Sequence, residues 1–146
     1  MTAHVVAGGI VAALSMICWG GRVVAWLVPE AGNAHELLEA RDDLEPLYWS
    51  ELRGEIAWDV ATLWSMVAAG VLLAADHPWW THFALTAGGA YVYFAGRGIF
   101  TRVAMINAGF LIGSPRSVRL ALFMSAIWGA MATAMIIAAI VELRGR

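Results

Sequence analysis

Long apolar stretches alternate along the chain with short polar segments. Four of them, at about 5–28, 56–75, 79–100 and 118–141, approach or exceed the roughly 20 residues that a helix needs to cross a bilayer. Each stretch is expected to be helical, because backbone groups find no water partner in lipid. The pattern therefore predicts a single all-α domain over residues 1–146, a polytopic membrane protein built as a four-helix transmembrane bundle.

The only sizeable segment between these stretches, residues 30–54, is acidic and amphipathic. Asn33 followed by Glu36 is typical of a helix start, and the leucines that follow recur near helical spacing among acidic side chains. Pro46 is expected to end this helix. We therefore predict a short amphipathic cytoplasmic helix between the first and second spans, packed on the bundle or on a partner protein.

Small residues recur every four positions on two of the spans. On the fourth span they include Ser125, Gly129 and Thr133, and on the first span Gly8 and Ala12. Such stripes let helix backbones approach closely. They are expected to pack the four spans against one another, with pairing of two copies of the chain as the alternative.

The composition narrows the class of protein further. The hydrophobic fraction is 61% and the charged fraction 14%, whereas soluble domains have roughly 45–50% and 25%. These values exclude a water-soluble globule and a disordered chain. With a net charge of −2 and no basic run, the chain is not expected to bind nucleic acid. A single cysteine, Cys18, excludes a disulfide framework and a cysteine-based zinc site.

All nine basic residues are arginines, and their distribution predicts the orientation in the membrane. Seven of them fall at or near the side that holds the first and third connections between spans, and two lie at the C-terminus. Basic residues accumulate on the cytoplasmic side of membrane proteins. The sequence therefore predicts a multi-pass protein of the inner (plasma) membrane with both termini on the extracytoplasmic side.

Ionisable side chains gather near the cytoplasmic ends of the predicted spans. They are informative because charges are costly in lipid and are usually paired or functional. Three carboxylates spaced four apart share one helix face: Glu51, Glu55 and Asp59. Four arginines from different parts of the chain are their candidate partners: Arg22, Arg53, Arg97 and Arg102.

Two interpretations of these charges stay open. In the first, they form salt bridges that fix the helix register, with Asp59 paired to Arg22 or Arg97. In the second, the surplus of guanidinium groups binds an anionic head group, phosphate or carboxylate. Proton coupling through Asp59 is less favoured, because nearby arginines hold a carboxylate ionised.

The opposite side of the predicted bundle carries His4, His77, His82 and Asp76. Their spacing matches no metal-binding motif. The sequence also lacks a phosphate-binding glycine loop, a nucleophile elbow and an HExxH motif. We therefore assign no catalytic residue, no metal and no cofactor.

Two segments at the end of the third span and the start of the fourth carry a family resemblance. They are Arg102-Val-Ala-Met and Gly113-Ser-Pro115-Arg116-Ser-Val-Arg119-Leu-Ala. Both are similar to the corresponding helices of the MAPEG family of membrane-bound glutathione transferases. The resemblance implies four helices, outward termini and an arginine-rich cytosolic site. The family's Arg-Ala-His-x-Asn-x-x-Glu run is reduced here to Arg53 and a displaced acid, Asp59.

Three functional hypotheses follow, each of a different class. The first is an accessory or scaffold subunit of a membrane assembly, whose partners are the lipid bilayer and other membrane subunits or further copies of the chain. The second is a MAPEG-like membrane enzyme that binds an anionic co-substrate or lipid head group at the four arginines. The third is a small transporter or channel with Glu55 and Asp59 along its path, although no broken helix is visible at mid-membrane. The lack of catalytic motifs favours the first.

Overall fold

The computed structural model of the chain describes residues 2–29 and 46–145. Within these two ranges the backbone is helical apart from turns, which confirms the all-α class. Five helices follow one another there: α1 (Thr2–Leu27), α2 (Pro46–Thr62), α3 (Trp64–Ala74), α4 (Trp80–Asn107) and α5 (Pro115–Gly145). The amphipathic helix predicted to begin near Asn33 falls on residues 30–45, outside the described part.

Among the described residues, three helical segments are long and apolar enough to cross a membrane. They are α1, α5 and the run from Pro46 to Ala74 that contains α2 and α3, with 26, 31 and 29 residues. The helix α4 has 28 residues but is not among the three. Its threonine, glycine and tyrosine residues are less apolar, and it also carries Arg97 and Arg102.

Local sequence signals set the helix ends. Both α2 and α5 begin at a proline, which favours the first helical position because its missing N–H is not needed there. Pro46 is the first residue of α2; whether it also ends the predicted amphipathic helix concerns residues outside the described part. At the start of α5, the N–H of Ser117 donates to Oγ of Ser114 over 3.1 Å, a cap of the first turn. Beyond α4, Gly109 has a φ of +81°, a conformation that commonly ends helices.

The helix α1 runs antiparallel to α2 and α3 and approaches them closely through glycines. A Cβ atom on Gly8 would collide with the backbone nitrogen of Ala74, and one on Gly70 with that of Ala12. On the other side of the molecule, Gly88 of α4 similarly accommodates Ile136 of α5. Gly8 and Ala12, predicted to form a packing stripe, thus pack within the chain.

The buried apolar side chains form two clusters. The larger one lies around Met66, Ala84 and Ala132, in the same half of the helices as the glycine contacts. The smaller one lies near the C-terminal ends of α1 and α4. It consists of Ala25, Tyr48, Leu52, Ile56, Ile112 and Val118. Ionisable side chains of α1 and α2 lie between the two clusters.

Replacing Gly8 by alanine is predicted to destabilise the protein, because the added Cβ meets backbone atoms that cannot move aside. Overpacking of this kind costs about 1–3 kcal/mol. The matched control is Gly9→Ala, since a Cβ at Gly9 meets nothing within 4 Å. Unfolding in detergent, followed by circular dichroism, measures both. Equal stability of the two variants would contradict the observed helix contact.

Candidate functional site

An ion pair between α1 and α2 lies at the centre of the site. Arg22 Nε is 3.2 Å from Asp59 Oδ2, and the two side chains are only 15% and 5% exposed. The contact is an ion pair without hydrogen-bond geometry, since Asp59 Oδ2 accepts no hydrogen bond from the described residues. The Arg22 guanidinium also lies over the ring of Phe94, 5.0 Å from its centroid, a cation–π contact. Arg22 thereby joins α1 to both α2 and α4.

Arg97 of α4 bridges two carboxylates of α2. Its Nη2 lies 2.6 Å from Glu51 Oε1, and its Nη1 lies 2.6 Å from Glu55 Oε1. Glu51 is 48% exposed, whereas Glu55 is 15% exposed. One planar guanidinium that binds carboxylates a helical turn apart fixes the rotation of α2 against α4, although ion pairs as exposed as that with Glu51 add little stability.

Arg53 of α2 caps the end of α1. Its Nη1 donates to the carbonyl oxygen of Ala25 over 2.9 Å, and its Nη2 donates to that of Trp26 over 3.2 Å. The guanidinium also lies 4.5 Å from the centroid of the Trp26 ring. Because the last carbonyls of a helix have no partner in the helix and form the negative end of its dipole, Arg53 serves the structure of α1.

The second long helical segment is interrupted at Leu63, between α2 and α3. Five carbonyl oxygens at the interruption accept hydrogen bonds from side chains. The carbonyl of Trp58 accepts from the Thr62 side chain, that of Val60 from Trp19, that of Ala61 from Trp64, that of Thr62 from Ser65, and that of Leu63 from Tyr91. Their lengths are 2.6–3.2 Å. In lipid, a carbonyl released from the helix needs such a donor, so these side chains sustain the interruption.

The sequence shows no broken helix, whereas the structure separates α2 from α3 at Leu63. Glycine and proline are the residues that most often mark a helix break in a sequence, and neither lies beside Leu63. The local signal is a run of side-chain donors: Thr62, Trp64 and Ser65. The hydroxyl groups of threonine and serine commonly donate to carbonyl oxygens three or four residues earlier in a helix. The other two donors, Trp19 and Tyr91, come from α1 and α4.

A cavity of about 260 Å³ lies between α1, α4 and α5. We call it the arginine cavity, because Arg22 and Arg102 line it and, within the described residues, no carboxylate does. The rest of its lining is small or apolar, apart from two serines: Ile17, Cys18, Gly21, Phe94, Gly98, Ser117, Leu120, Ala121, Met124, Ser125 and Trp128. Arg102 is 6% exposed, and its Nη1 donates to the carbonyl oxygen of Gly98 over 3.1 Å.

A second cavity, of about 380 Å³, lies between α2 and α4. We call it the acidic cavity; Glu51, Glu55, Asp59 and Arg97 line it beside aromatic side chains. Phe94 lines both cavities. The Phe94 ring and the Arg22–Asp59 pair therefore stand between the two, with the arginine on one side and the carboxylate on the other.

The four arginines expected at one anion site are thus divided by the structure. Arg22 and Arg102 line the arginine cavity, Arg97 lines the acidic cavity, and Arg53 lines neither. The three carboxylates stay together on one face of α2, as their spacing predicts.

The described histidines, His4, His77 and His82, lie away from this site. Nδ1 of His4 is 2.7 Å from Oδ1 of Asp76, and both side chains are largely exposed. His77 accepts the backbone N–H of Trp79. Among residues 2–29 and 46–145, no three histidine, cysteine, aspartate or glutamate side chains are grouped to hold a metal ion.

Known proteins provide no template for the site. No protein-family model matches the chain, and neither a curated protein nor a solved structure is significantly similar to it. The chemistry follows from the residues themselves: guanidinium groups beside an apolar cavity on one side of Phe94, and carboxylates on the other.

Asp59→Asn is predicted to destabilise the protein by about 3–5 kcal/mol, because it leaves the charge of Arg22 buried without its partner. Replacing both residues by apolar ones, as in Arg22→Met with Asp59→Leu, is expected to restore most of the loss. The control is Asp76→Asn in the exposed pair with His4, where a change below about 1 kcal/mol is expected. Denaturation in detergent measures all three, and a similar loss in Asp59→Asn and Asp76→Asn would contradict this account.

Proposed function

We propose that the protein is a helical membrane protein that binds an amphiphile with an acidic head group in the arginine cavity. One observation carries the proposal: two guanidinium groups, from Arg22 and Arg102, line a cavity whose other walls are largely apolar. Ligand sites typically combine an apolar lining with a few polar groups that fix orientation. An anionic head group is also the ligand class that the surplus of arginines suggests.

The charges and the geometry of the arginine cavity favour an anionic ligand over a cationic one. The contact of Arg22 with Asp59 joins Nε to Oδ2. Asp59 lines the other cavity, and Arg102 adds a second positive charge. Guanidinium groups bind phosphate and carboxylate through paired hydrogen bonds, and the surrounding apolar walls reduce screening by water.

Four helical segments would then cross the inner (plasma) membrane: α1, α2 with α3, α4, and α5. The lower hydropathy of α4 suits a helix that packs between the other segments, and ten of its residues are buried. With the arginine-rich ends cytoplasmic, both termini lie on the extracytoplasmic side. The arginine cavity would open in the cytoplasmic half of the bilayer.

Binding is favoured over transport by the way the two halves of the molecule pack. Both cavities lie toward the ends of α1 and α4 that carry Arg22 and Arg102. In the other half, Gly8 lies against the backbone of Ala74, and Gly88 lies against Ile136. Glu55 and Asp59 both line the acidic cavity, which lies between α2 and α4 and is not lined by described residues of α3. Further along these helices, Met66 of α3 and Ala84 and Ala87 of α4 are buried in the larger apolar cluster.

The accessory or scaffold role stays a prediction. It depends on the acidic segment 30–54, of which residues 30–45 lie outside the described part. Pairing of two copies of the chain also stays a prediction. Gly8 and Ala12, which could have formed such an interface, contact α3 of the same chain. Binding of an amphiphile is compatible with either role.

Filling the arginine cavity tests the proposal. Ala121 lines the cavity, whereas Ala126 on the same helix is exposed, so Ala121→Phe and Ala126→Phe are matched variants. Dodecyl phosphate is the probe, and its binding in a non-ionic detergent is measured by calorimetry. We expect Ala121→Phe to weaken binding at least tenfold, roughly 1.4 kcal/mol, and Ala126→Phe to leave it unchanged.

Thermal unfolding of both variants controls for loss of the fold. If the folded wild-type protein binds no dodecyl phosphate, or binds dodecyl maltoside equally well, the proposed function is wrong. If both variants bind like the wild type, the ligand lies outside the arginine cavity.

A further inference from the structure

The arginine cavity is closed on one side and open on another. The residues of α4 that line it are buried: Phe94 is 5% exposed, Arg102 is 6% exposed, and Gly98 is also buried. The exposed lining residues belong to the other two helices, with Ile17 of α1 at 60% and Leu120 of α5 at 41%. The helix α4 therefore forms the closed side of the cavity, and the opening, which we call the mouth, lies between α1 and α5.

Direct contacts between α1 and α5 bound this mouth at one end. Nε1 of Trp128 donates to the carbonyl oxygen of Leu14 over 3.2 Å, and Ser15 Oγ lies 3.9 Å from the sulfur of Met131. The cavity lies on the Arg22 side of these contacts. Since Trp128 also lines the cavity, its indole closes the end that faces the tightly packed half of the molecule.

The surface around the mouth is apolar. Met16 and Val24 on α1 are 48% and 38% exposed, and Phe123 on α5 is 63% exposed. Large apolar side chains on both edges favour lipid over water as the surrounding medium. The mouth therefore faces the hydrocarbon part of the bilayer in the proposed membrane placement.

The size of the cavity agrees with an open mouth. Its volume of about 260 Å³ is below the roughly 300–1,000 Å³ of pockets that enclose a drug-sized ligand. A head group and the first carbons of a chain would fill it. The rest of a long chain must leave between α1 and α5, where the exposed side chains are apolar.

From these observations we propose that the arginine cavity takes its ligand sideways from the bilayer, through the mouth between α1 and α5, and that this ligand is a membrane lipid with an anionic head group. The inference rests on the proposed function and adds both the ligand class and the route of access. The head group lies at Arg22 and Arg102, and the acyl chain lies along Ile17 and Leu120 in the lipid phase.

Narrowing the mouth tests the route. Leu120→Trp enlarges a side chain at the mouth, whereas Ile137→Trp changes an equally apolar, exposed position in the other half of α5 that does not line the cavity. Each variant is reconstituted in nanodiscs that contain equal amounts of phosphatidylglycerol and phosphatidylcholine. Native mass spectrometry then counts the lipids that stay bound. We expect the wild type to retain phosphatidylglycerol over phosphatidylcholine. Retention of phosphatidylglycerol is expected to fall about tenfold in Leu120→Trp and to stay unchanged in Ile137→Trp.

A second arm separates the lipid from a free anion of the same chemistry. Inorganic phosphate in large excess is added to wild-type nanodiscs, and we expect it to leave the retained phosphatidylglycerol in place. Displacement of the lipid by phosphate would show that the cavity takes a free anion from water, and would overturn the inference.

The remaining outcomes distinguish this inference from the proposed function. Equal retention in Leu120→Trp and Ile137→Trp overturns the lateral route, while the cavity-filling variant Ala121→Phe still reports on binding itself. Equal retention of phosphatidylglycerol and phosphatidylcholine by the wild type overturns the ligand class. In that case, dodecyl phosphate binding decides whether the proposed function survives.

Discussion

The buried ion pair between Arg22 and Asp59 is the constraint on which the rest of the structure depends. A buried pair is weak evidence for stability, because desolvation of both charges offsets their attraction. Its effect here is geometric. Arg22 contacts Asp59 on α2 and the Phe94 ring on α4, so one guanidinium positions three helices. The same contacts divide the space beside them into an arginine cavity and an acidic cavity.

The two halves of the molecule are held together by different kinds of contact. In the half with Gly8 and Gly70, the absence of side chains lets backbones touch, and packing alone holds the helices together. In the other half, ion pairs and a cation–π contact join the helices, and two cavities lie between them. Arg53 and Arg97 hold helix ends and faces, whereas Arg22 and Arg102 line the proposed site.

Much of the fold could be predicted from the lengths of the apolar stretches, because length and hydropathy are local properties. The start of α2 at Pro46 was missed, since its first turns carry the charges Glu51, Arg53 and Glu55 and do not look membrane-spanning. The interruption at Leu63 was missed for another reason: Trp19 and Tyr91, which help to sustain it, come from distant helices. The division of the arginines between two cavities is likewise a property of tertiary packing.

The central claim is that an anionic amphiphile lies in the arginine cavity, and photoaffinity labelling tests it most directly. An alkyl phosphate with a diazirine close to its head group is photolysed with the protein in bilayers, and peptide mass spectrometry maps the attachment. The account predicts labels on cavity-lining residues, above all Cys18, Met124 and Ser125. Labels confined to exposed faces away from the mouth, at residues such as Ile137 and Val141, would contradict it.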